Sequence, residues 1–235
     1  MKVLAVIPAR GGSKGIKRKN LVPIKGKPLI AYTIEHALES KLVNRVIVSS
    51  EDLEIIEISR RYGAEVPFLR PVELAQDDVL DIPVFQHALS FLKEVENYEP
   101  DIVVHLRPTS PYRKPIWIDE AIEVMLKHPM ADSVRSVSEP EKHPYRMFIV
   151  DNQGFLDPIM KHLHPIPYLL RRQDLPKVYF YNCVIDVTKP STLFGKNSMT
   201  GDKILPYFME ATDVVDIDTA QDLEIAEFLF KRKEL

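Results

Sequence analysis

Five cationic side chains and three glycines are concentrated in one short segment near the start of this 235-residue chain. The segment, IPARGGSKGIKRKN, covers residues 7–20 and includes Arg10, Lys14 and Lys19. Glycines let backbone N–H groups approach an anion closely, while guanidinium and ammonium groups neutralise its charge. The segment therefore indicates a site for a phosphate chain, and the alternative is a solvated basic turn.

The spacing within this segment disfavours two familiar nucleotide-binding patterns. No Gly-Lys-Ser/Thr follows a first glycine at the Walker A spacing, and the glycines do not match G-x-G-x-x-G. A P-loop hydrolase and a dinucleotide-dependent oxidoreductase are therefore both weakened as interpretations.

Two aspartates, Asp216 and Asp218, are separated by one residue in the segment VDID near the other end of the chain. In a strand, residues two apart point to the same face, and carboxylate oxygens are the usual anchors for Mg²⁺. The pair therefore indicates a site for the metal that a triphosphate needs. The alternative is a strand end at which Asp218 caps a helix starting at Thr219, a role that does not exclude metal binding.

A third polar group lies in the segment LRPTSPYR, where Arg107, Thr109, Ser110 and Arg113 stand in a loop with two prolines. Hydroxyl and guanidinium groups at the end of a strand, beside the first loop, favour a binding role. The alternative is a proline-braced turn whose hydroxyls bond to their own backbone.

The elements that must position these groups alternate along the chain. Apolar runs predict strands at 2–9, 45–50, 64–70, 101–107, 178–187, 204–209 and 213–218, and helical periodicity appears at 27–40, 51–63, 84–95, 115–128 and 219–232. This order predicts a three-layer α/β/α sandwich with a mostly parallel, Rossmann-like sheet. In such sheets, ligands bind beyond the carboxyl ends of the strands.

One stretch, at about 136–176, interrupts this alternation with scattered prolines and short apolar runs. We expect a single domain, 1–235, with this stretch as an inserted arm that serves as a lid or in oligomerisation.

The overall composition gives no sign of a nucleic-acid or membrane partner. The 31 basic and 34 acidic residues leave a net charge of -3, and no apolar run is long enough to span a bilayer. A single cysteine excludes an internal disulfide. We therefore expect a soluble, cytoplasmic protein.

Five motifs together resemble the cytidylyltransferases that activate sialic acid and related nonulosonic acids as CMP-sugars. In chain order they are IPARGGSKGIKRKNL, LRPVELAQD, LRPTSPYR, RRQDLP and VDIDTAQDL, and they extend over nearly the whole chain. The resemblance implies a fold of the nucleotide-diphospho-sugar transferase type and a homodimer formed through the arm. It also implies Mg²⁺-dependent transfer of CMP from CTP to the anomeric hydroxyl of an N-acetylneuraminic, legionaminic or pseudaminic type of acid.

The same resemblance implies roles for individual residues. Those implied for CTP are Arg10, Ser13, Lys14, Lys19, Asn20, Arg70, Asp77 and Asp81, with the phosphates on the first loop and the nucleoside near 70–81. Those implied for the sugar acid are Arg107, Thr109, Ser110, Arg146, Arg172, Gln173 and Asn182, of which Arg146 and Arg172 would serve the partner's site. Asp216 and Asp218 match the paired metal-binding aspartates, and the catalytic set would be Arg10, Lys14, Lys19 and Asp218.

Four positions depart from the family pattern. Arg107 stands where the family has a glutamine that touches the sugar's N-acyl group, and Asp81 where it has a small hydroxyl residue. Cys183 replaces a glycine, and Asp186 replaces a sugar-pocket tyrosine. We therefore expect retained nucleotide chemistry and an altered sugar pocket, with Cys183 as buried filler rather than a nucleophile.

Three other functions remain open at this point. The acceptor could be a different sugar, such as a 3-deoxy-octulosonate. The DID segment would also suit a glycosyltransferase that holds a nucleotide sugar through a metal. A non-catalytic nucleotide-sensing or scaffolding domain is disfavoured, because scaffolding needs neither the aspartates nor the cationic loop.

Overall fold

Short apolar strands alternate with helices along residues 1–232, the part of the chain that the computed structural model describes. The strands are β1 (Val3–Pro8), β2 (Pro23–Ile24), β3 (Lys27–Pro28), β4 (Arg45–Ser49), β5 (Ile102–His105), β6 (Ser133–Ser138), β7 (Phe148–Val150), β8 (Leu156–Pro158), β9 (Phe180–Thr188) and β10 (Ile204–Phe208). The helices are α1 (Leu29–Glu39), α2 (Leu53–Arg61), α3 (Asp81–Glu96), α4 (Pro115–Lys127), α5 (Pro190–Gly195) and α6 (Ala220–Arg232). Within this range, no helix has the length and apolar character needed to cross a bilayer.

Six of these strands form the central sheet, in the order β10-β6-β9-β5-β1-β4. β1 pairs in parallel with β4 and β5, and β6 pairs in parallel with β10. β9 lies between β5 and β6 and runs antiparallel to both. The predicted, mostly parallel sheet is therefore confirmed, with one reversed strand.

Helices cover both faces of this sheet. On one face, Val3, Ala5 and Ile7 of β1 pack with apolar residues of α1, α2 and α4. On the other face, Leu4 and Val6 pack with residues of α3 and α5. Burial of each such aliphatic side chain contributes about 1.5–3 kcal/mol. The arrangement confirms the predicted three-layer α/β/α sandwich.

Two predicted strands are absent from the sheet. The segment 64–70 makes only an isolated bridge, between Glu65 and Ile47 of β4. Pro67, two residues later, has no N–H group to continue the pairing. The segment 213–218 lies against the loop after β5, where the N–H group of Ile217 donates to the carbonyl of Thr109 at 2.9 Å. It cannot join β5, because β1 and β9 already occupy both edges of that strand.

The stretch between β6 and β9 coincides with the segment for which an inserted arm is predicted, but it runs from 139 to 179 rather than from about 136 to 176, because residues 136–138 belong to β6 and β9 begins at Phe180. From here on, the arm means residues 139–179. It contains the β7–β8 hairpin and three short 3-10 helices, Pro144–Arg146, Pro167–Leu169 and Arg172–Asp174. Large apolar side chains of the arm are exposed, among them Phe155, Leu156, Leu163 and Leu169.

Candidate active site

A cleft of about 600 Å³ lies at the carboxyl ends of β1 and β5. This is the place at which open α/β sheets bind their ligands. Twelve of the residues predicted from the sequence line it: Arg10, Ser13, Lys14, Lys19, Asn20, Arg70, Asp77, Asp81, Arg107, Thr109, Asp216 and Asp218. The structure therefore brings together segments from both halves of the chain around one cleft.

The first loop, residues 9–20, is held in shape by its own side chains and by α2. The amide of Asn20 is buried and donates to the carbonyl of Arg10 at 2.9 Å. Arg18 has a left-handed backbone with φ of 54° and forms ion pairs with Asp52 at 2.9 Å and with Glu54 at 2.8 Å. Asp52 also caps α2 through the N–H groups of the helix's first turn. Arg18 thus anchors the loop, while Arg10 lines the cleft.

Three other cations of the loop, Arg10, Lys14 and Lys19, have carboxylate partners in the cleft. Asp77 receives Arg10 on one oxygen and Lys14 on the other, each at 2.8 Å. The bond from Lys14 is the main cause of a lowered pKa at Asp77. Ion pairs between exposed groups are weak. An incoming triphosphate can therefore replace Asp77 as the partner of both cations.

Gly15 brings the first loop into direct contact with the segment that carries the two aspartates. A Cβ atom placed on Gly15 would lie only 2.2 Å from the carbonyl oxygen of Asp218. In addition, the ammonium of Lys19 lies 2.7 Å from Oδ1 of Asp218. A residue with a side chain at position 15 would push these two segments apart.

Asp218 does not cap α6, so this alternative from the sequence is wrong. Instead, Oδ2 of Asp222 accepts hydrogen bonds from the backbone N–H groups of Asp218 and Thr219, at 3.1 and 2.8 Å. The hydroxyl of Thr219 in turn accepts from the N–H group of Asp222 at 3.2 Å. Because this reciprocal cap satisfies the start of the helix, the exposed carboxylate of Asp218 is not needed for capping and pairs with Lys19 in the cleft.

The carboxylates of Asp216 and Asp218 fit a Mg²⁺ ion that is bound together with a triphosphate. Burial, and then the neighbouring charge of Asp218, raise the pKa of Asp216. Oδ1 of Asp216 is buried and accepts no hydrogen bond. Across residues 1–232, no group of three or more His, Cys, Asp or Glu side chains is arranged to hold a metal. Mg²⁺ commonly takes only one or two carboxylates plus phosphates and water, so the pair is sufficient.

The cleft wall at the end of β5 contains Arg107 and Asp81, which the sequence analysis named, together with His105, which it did not identify. Arg107 donates to Asp81 at 3.1 Å and to Asp186 at 2.8 Å, so its guanidinium lies between two carboxylates. Burial alone would lower the pKa of Arg107. The negative charge of Asp186, assisted by Tyr181 and Asp81, has the larger combined effect, so the pKa of Arg107 is raised. His105 also lines this wall, and burial lowers its pKa well below the ordinary value. The signal that could have identified His105 in the sequence is its position as the polar last residue of the otherwise apolar strand β5.

Two buried arginines mainly hold the backbone around the cleft in place. Arg70 is 4% exposed and donates to the side chain of Ser49 at 3.0 Å, and burial lowers its pKa to about 10. Arg113 is 2% exposed and donates to the carbonyls of Val184 at 2.9 Å and Arg107 at 3.0 Å. These bonds fix the ends of β4 and β5, from which the lining residues project.

The residues predicted for the sugar acid divide into three groups. Arg107 and Thr109 line the cleft. Ser110 and Asn182 are buried outside its lining, and Oδ1 of Asn182 accepts from the hydroxyl of Ser136. The third group, Arg146, Arg172 and Gln173, lies on the arm, and both arginines border a separate cavity of about 730 Å³. One chain alone therefore does not bring the whole set together.

Cys183 is half-buried at the cleft wall, not fully buried as expected. Its φ of 61° is left-handed, a conformation that glycine adopts without strain. It lies where β9 bulges, between the residues paired with Arg135 and Val137. Burial raises the pKa of its thiol, which agrees with the expectation that Cys183 is not a nucleophile.

Comparisons with known proteins agree with this geometry. A model of the cytidylyltransferase family matches residues 4–200. The chain is 35% identical to the pseudaminic acid cytidylyltransferase of Campylobacter jejuni, with 98% of this chain and 97% of that protein covered. It is 33% identical to the CMP-N,N'-diacetyllegionaminic acid synthase of Legionella pneumophila, with the same coverage of both chains.

A solved structure resembles the whole fold. It is that of CMP:2-keto-3-deoxy-manno-octonic acid synthetase complexed with CTP, with a TM-score of 0.74 and 18% sequence identity. The similarity covers 99% of this chain and 100% of that one. It therefore supports the architecture described above along its full length.

Proposed function

Because the chain belongs to the cytidylyltransferase family, we propose that it transfers CMP from CTP to the anomeric hydroxyl of a nonulosonic acid. The acceptor is a sugar acid of the N-acetylneuraminic, legionaminic or pseudaminic type, and the products are a CMP-sugar and pyrophosphate. The observation that carries this proposal is the contact between Lys19 of the first loop and Asp218 of the carboxylate pair. It supports the proposal because the cations that would bind phosphate lie beside the carboxylates that would hold a metal.

CTP would bind with its phosphates on the first loop. Arg10 and Lys14 would exchange Asp77 for phosphate oxygens, while Ser13 and Asn20 border the same part of the cleft. Charge-assisted hydrogen bonds of this kind are stronger than those between neutral groups. The nucleoside would lie along the segment from Arg70 to Asp81, on the side of the cleft next to β4.

Asp216 and Asp218 would hold Mg²⁺ against the triphosphate. When bound, the metal supplies positive charge that favours reaction at the α-phosphate. Arg10, Lys14 and Lys19 would supply further charge from the first loop. The exposed carboxylate of Asp218 and the buried one of Asp216 would thus complete an electrostatic clamp on the phosphates.

The reaction is a direct displacement. The anomeric oxygen of the sugar acid forms a bond to the α-phosphorus, the bond from that phosphorus to the oxygen bridging to the β-phosphate breaks, and the hydroxyl proton passes to a base, either the carboxylate of Asp218 or water. Pyrophosphate leaves with the electron pair of the broken bond. Catalysis comes mainly from positioning and from neutralised charge, and no covalent intermediate with the chain is required.

We also propose that the chain, as one domain with its arm, functions as a homodimer. Arg146, Arg172 and Gln173 lie on the arm, away from the cleft of their own chain. The exposed apolar residues of the arm would be covered by a second copy. In this arrangement, the arm of one chain brings its arginines to the sugar carboxylate in the other chain's cleft. Since CTP is a cytoplasmic nucleotide, we place this reaction in the cytoplasm, without a nucleic-acid or membrane partner.

An acceptor panel tests the proposal. The protein is incubated with CTP, Mg²⁺ and N-acetylneuraminic, legionaminic, pseudaminic or 3-deoxy-octulosonic acid, while pyrophosphate release and the mass of the CMP-sugar are followed. We expect release with at least one of the first three acids. Release with the octulosonic acid alone would support a different acceptor class, and no release by a folded protein would overturn the enzyme assignment. Consumption of a preformed CMP-sugar instead of CTP would indicate a glycosyltransferase.

A further inference from the structure

A row of charged and polar side chains crosses the sheet directly behind the cleft wall. Asp186 on β9 is paired in register with His105 on β5 and with Arg135 on β6. Asp186 is only 2% exposed and does not line the cleft. A buried carboxylate is costly unless hydrogen bonds and opposite charges compensate it. The groups that contact Asp186 must therefore compensate its charge.

Three donors converge on a single oxygen of Asp186. Oδ2 accepts from Nη1 of Arg107 at 2.8 Å, from Nη1 of Arg135 and from the hydroxyl of Tyr181. The ring of His105 is 3.6 Å away, too far for a hydrogen bond. The two guanidinium groups thus share one carboxylate as a counter-charge, so Asp186 keeps two like charges side by side.

Arg107 is the member of this cluster that reaches the cleft. Its side chain is 23% exposed and lines the cleft, whereas the side chain of Arg135 is 9% exposed and is absent from the lining. Nη1 of Arg107 donates to Asp186, and Nη2 donates to Asp81, which also lines the cleft. The long arginine side chain is therefore fixed at both edges of its guanidinium, and its direction depends on Asp186.

A guanidinium has only hydrogen-bond donors, whereas an amide side chain offers both a donor and an acceptor. With Arg107 held in place, the group of the substrate that meets its guanidinium must be an acceptor, such as a carboxylate or an acyl oxygen. We propose that Asp186 is a positioning residue for the sugar acid, acting through Arg107 to select acceptors that present such an oxygen. This inference rests on the proposed function and adds to it a residue that never touches the substrate.

The test is a double-mutant cycle between Asp186→Asn and Arg107→Gln, with initial rates measured against the sugar acid and against CTP. Loss of a charge-assisted hydrogen bond at Arg107 corresponds to a rise of about tenfold to a hundredfold in KM for the sugar acid. We expect Asp186→Asn to produce this rise while KM for CTP changes by less than about twofold. In the Arg107→Gln background, Asp186→Asn should change KM for the sugar acid by less than about threefold, because coupled residues are not additive.

Asp132→Asn provides a matched control. Asp132 also receives several hydrogen bonds on one oxygen, from Lys196 at 2.8 Å and from the N–H groups of Asp202 and Lys203 at 2.9 Å, but it lies outside the cleft. We expect Asp132→Asn to lower the thermal midpoint and to leave both KM values unchanged. If Asp186→Asn does not fold, Tyr181→Phe replaces it, since it removes a donor from the same oxygen without removing a charge.

For Tyr181→Phe we expect a severalfold rise in KM for the sugar acid that disappears in the Arg107→Gln background. The proposal is overturned if either substitution has the same effect in both backgrounds, if KM for CTP rises equally, or if KM for the sugar acid does not change. An unmodified chain that turns over none of the acids overturns the proposed function and this inference together. If the unmodified chain turns over an acid but Asp186→Asn and Tyr181→Phe leave KM for that acid unchanged, the inference alone is overturned.

Discussion

The ammonium of Lys19 and the carboxylate of Asp218 are 199 positions apart in the sequence and 2.7 Å apart in the structure. The side chain of Lys19 is 16% exposed and that of Asp218 is 69% exposed, so the pair lies at the border between the protein interior and the cleft. Through this contact, the phosphate-binding loop and the proposed metal ligands share one electrostatic environment. A change on either side of the pair should therefore have a specific effect on the reaction.

Asp218→Asn should abolish Mg²⁺-dependent turnover while CTP still binds, because the phosphate cations remain in place. Loss of one group that stabilises charge in the transition state typically lowers kcat by about 10²–10³. Steady-state rates and calorimetric titration with CTP measure the two effects. Asp213→Asn is the control, since Asp213 lies in the same segment but outside the cleft. Unchanged turnover by Asp218→Asn would remove this residue from the metal site.

Arg10→Gln should weaken CTP binding by about tenfold to a hundredfold, since it removes a charge-assisted hydrogen bond to phosphate. The matched control is Lys17→Gln in the same loop, because Lys17 is exposed and does not line the cleft. Titration with CTP in the absence of metal compares the two variants. Equal loss of affinity in both would indicate that the loop acts only through its overall charge.

Gly15→Ala should destabilise the folded protein by about 1–3 kcal/mol, because the new methyl group would overlap the carbonyl oxygen of Asp218. Gly12→Ala is the control in the same loop, since a Cβ atom at that position has no neighbour within 4 Å. The control should stay within about 1 kcal/mol of the unmodified chain. Urea unfolding measures both, and equal stability of the two variants would contradict the close backbone contact.

Complementation between two inactive variants should reveal whether the arm serves a partner. Asp218→Asn disables the cleft, and Arg172→Ala disables the arm, so a mixed dimer would contain one intact cleft served by one intact arm. Co-expressed variants should recover about a quarter of the unmodified activity by random pairing of subunits. Arg171→Ala is the arm control, because Arg171 is paired with Asp174 of its own chain. If the co-expressed variants are as inactive as each variant alone, the result would argue against an arm that serves the partner's cleft.

The sequence was sufficient to predict the layers of the fold, because hydrophobic periodicity reports burial directly. It was insufficient for strand pairing. Val215 and Ile217 are buried on either side of the less buried Asp216, as in a strand, yet their segment meets a loop. Periodicity shows that a side chain is buried but does not show which backbone lies beside it. The reversal of β9 is likewise a property of the completed sheet.

The candidate site was also only partly predictable from the sequence. The cationic loop and the aspartate pair were recognisable because each lies at the end of one element and has a local pattern. The cluster around Asp186 was not recognisable, since it depends on the register of three strands and on the bulge at Cys183. Asp186 and Arg107, for example, are 79 positions apart in the sequence and meet only when β5 and β9 are paired.

The reversed direction of β9 also determines how the arm is attached. β6 ends at the cleft edge of the sheet, and β9 begins at that same edge, where Phe180 pairs with Ser138. Both ends of the arm therefore emerge side by side, as in a long hairpin, without a crossover past the sheet. If β9 were parallel to its neighbours, its first residue would lie roughly 15–20 Å away at the opposite edge. The arm can consequently change in length or shape from one homologue to another while the strands that carry the cleft stay in place.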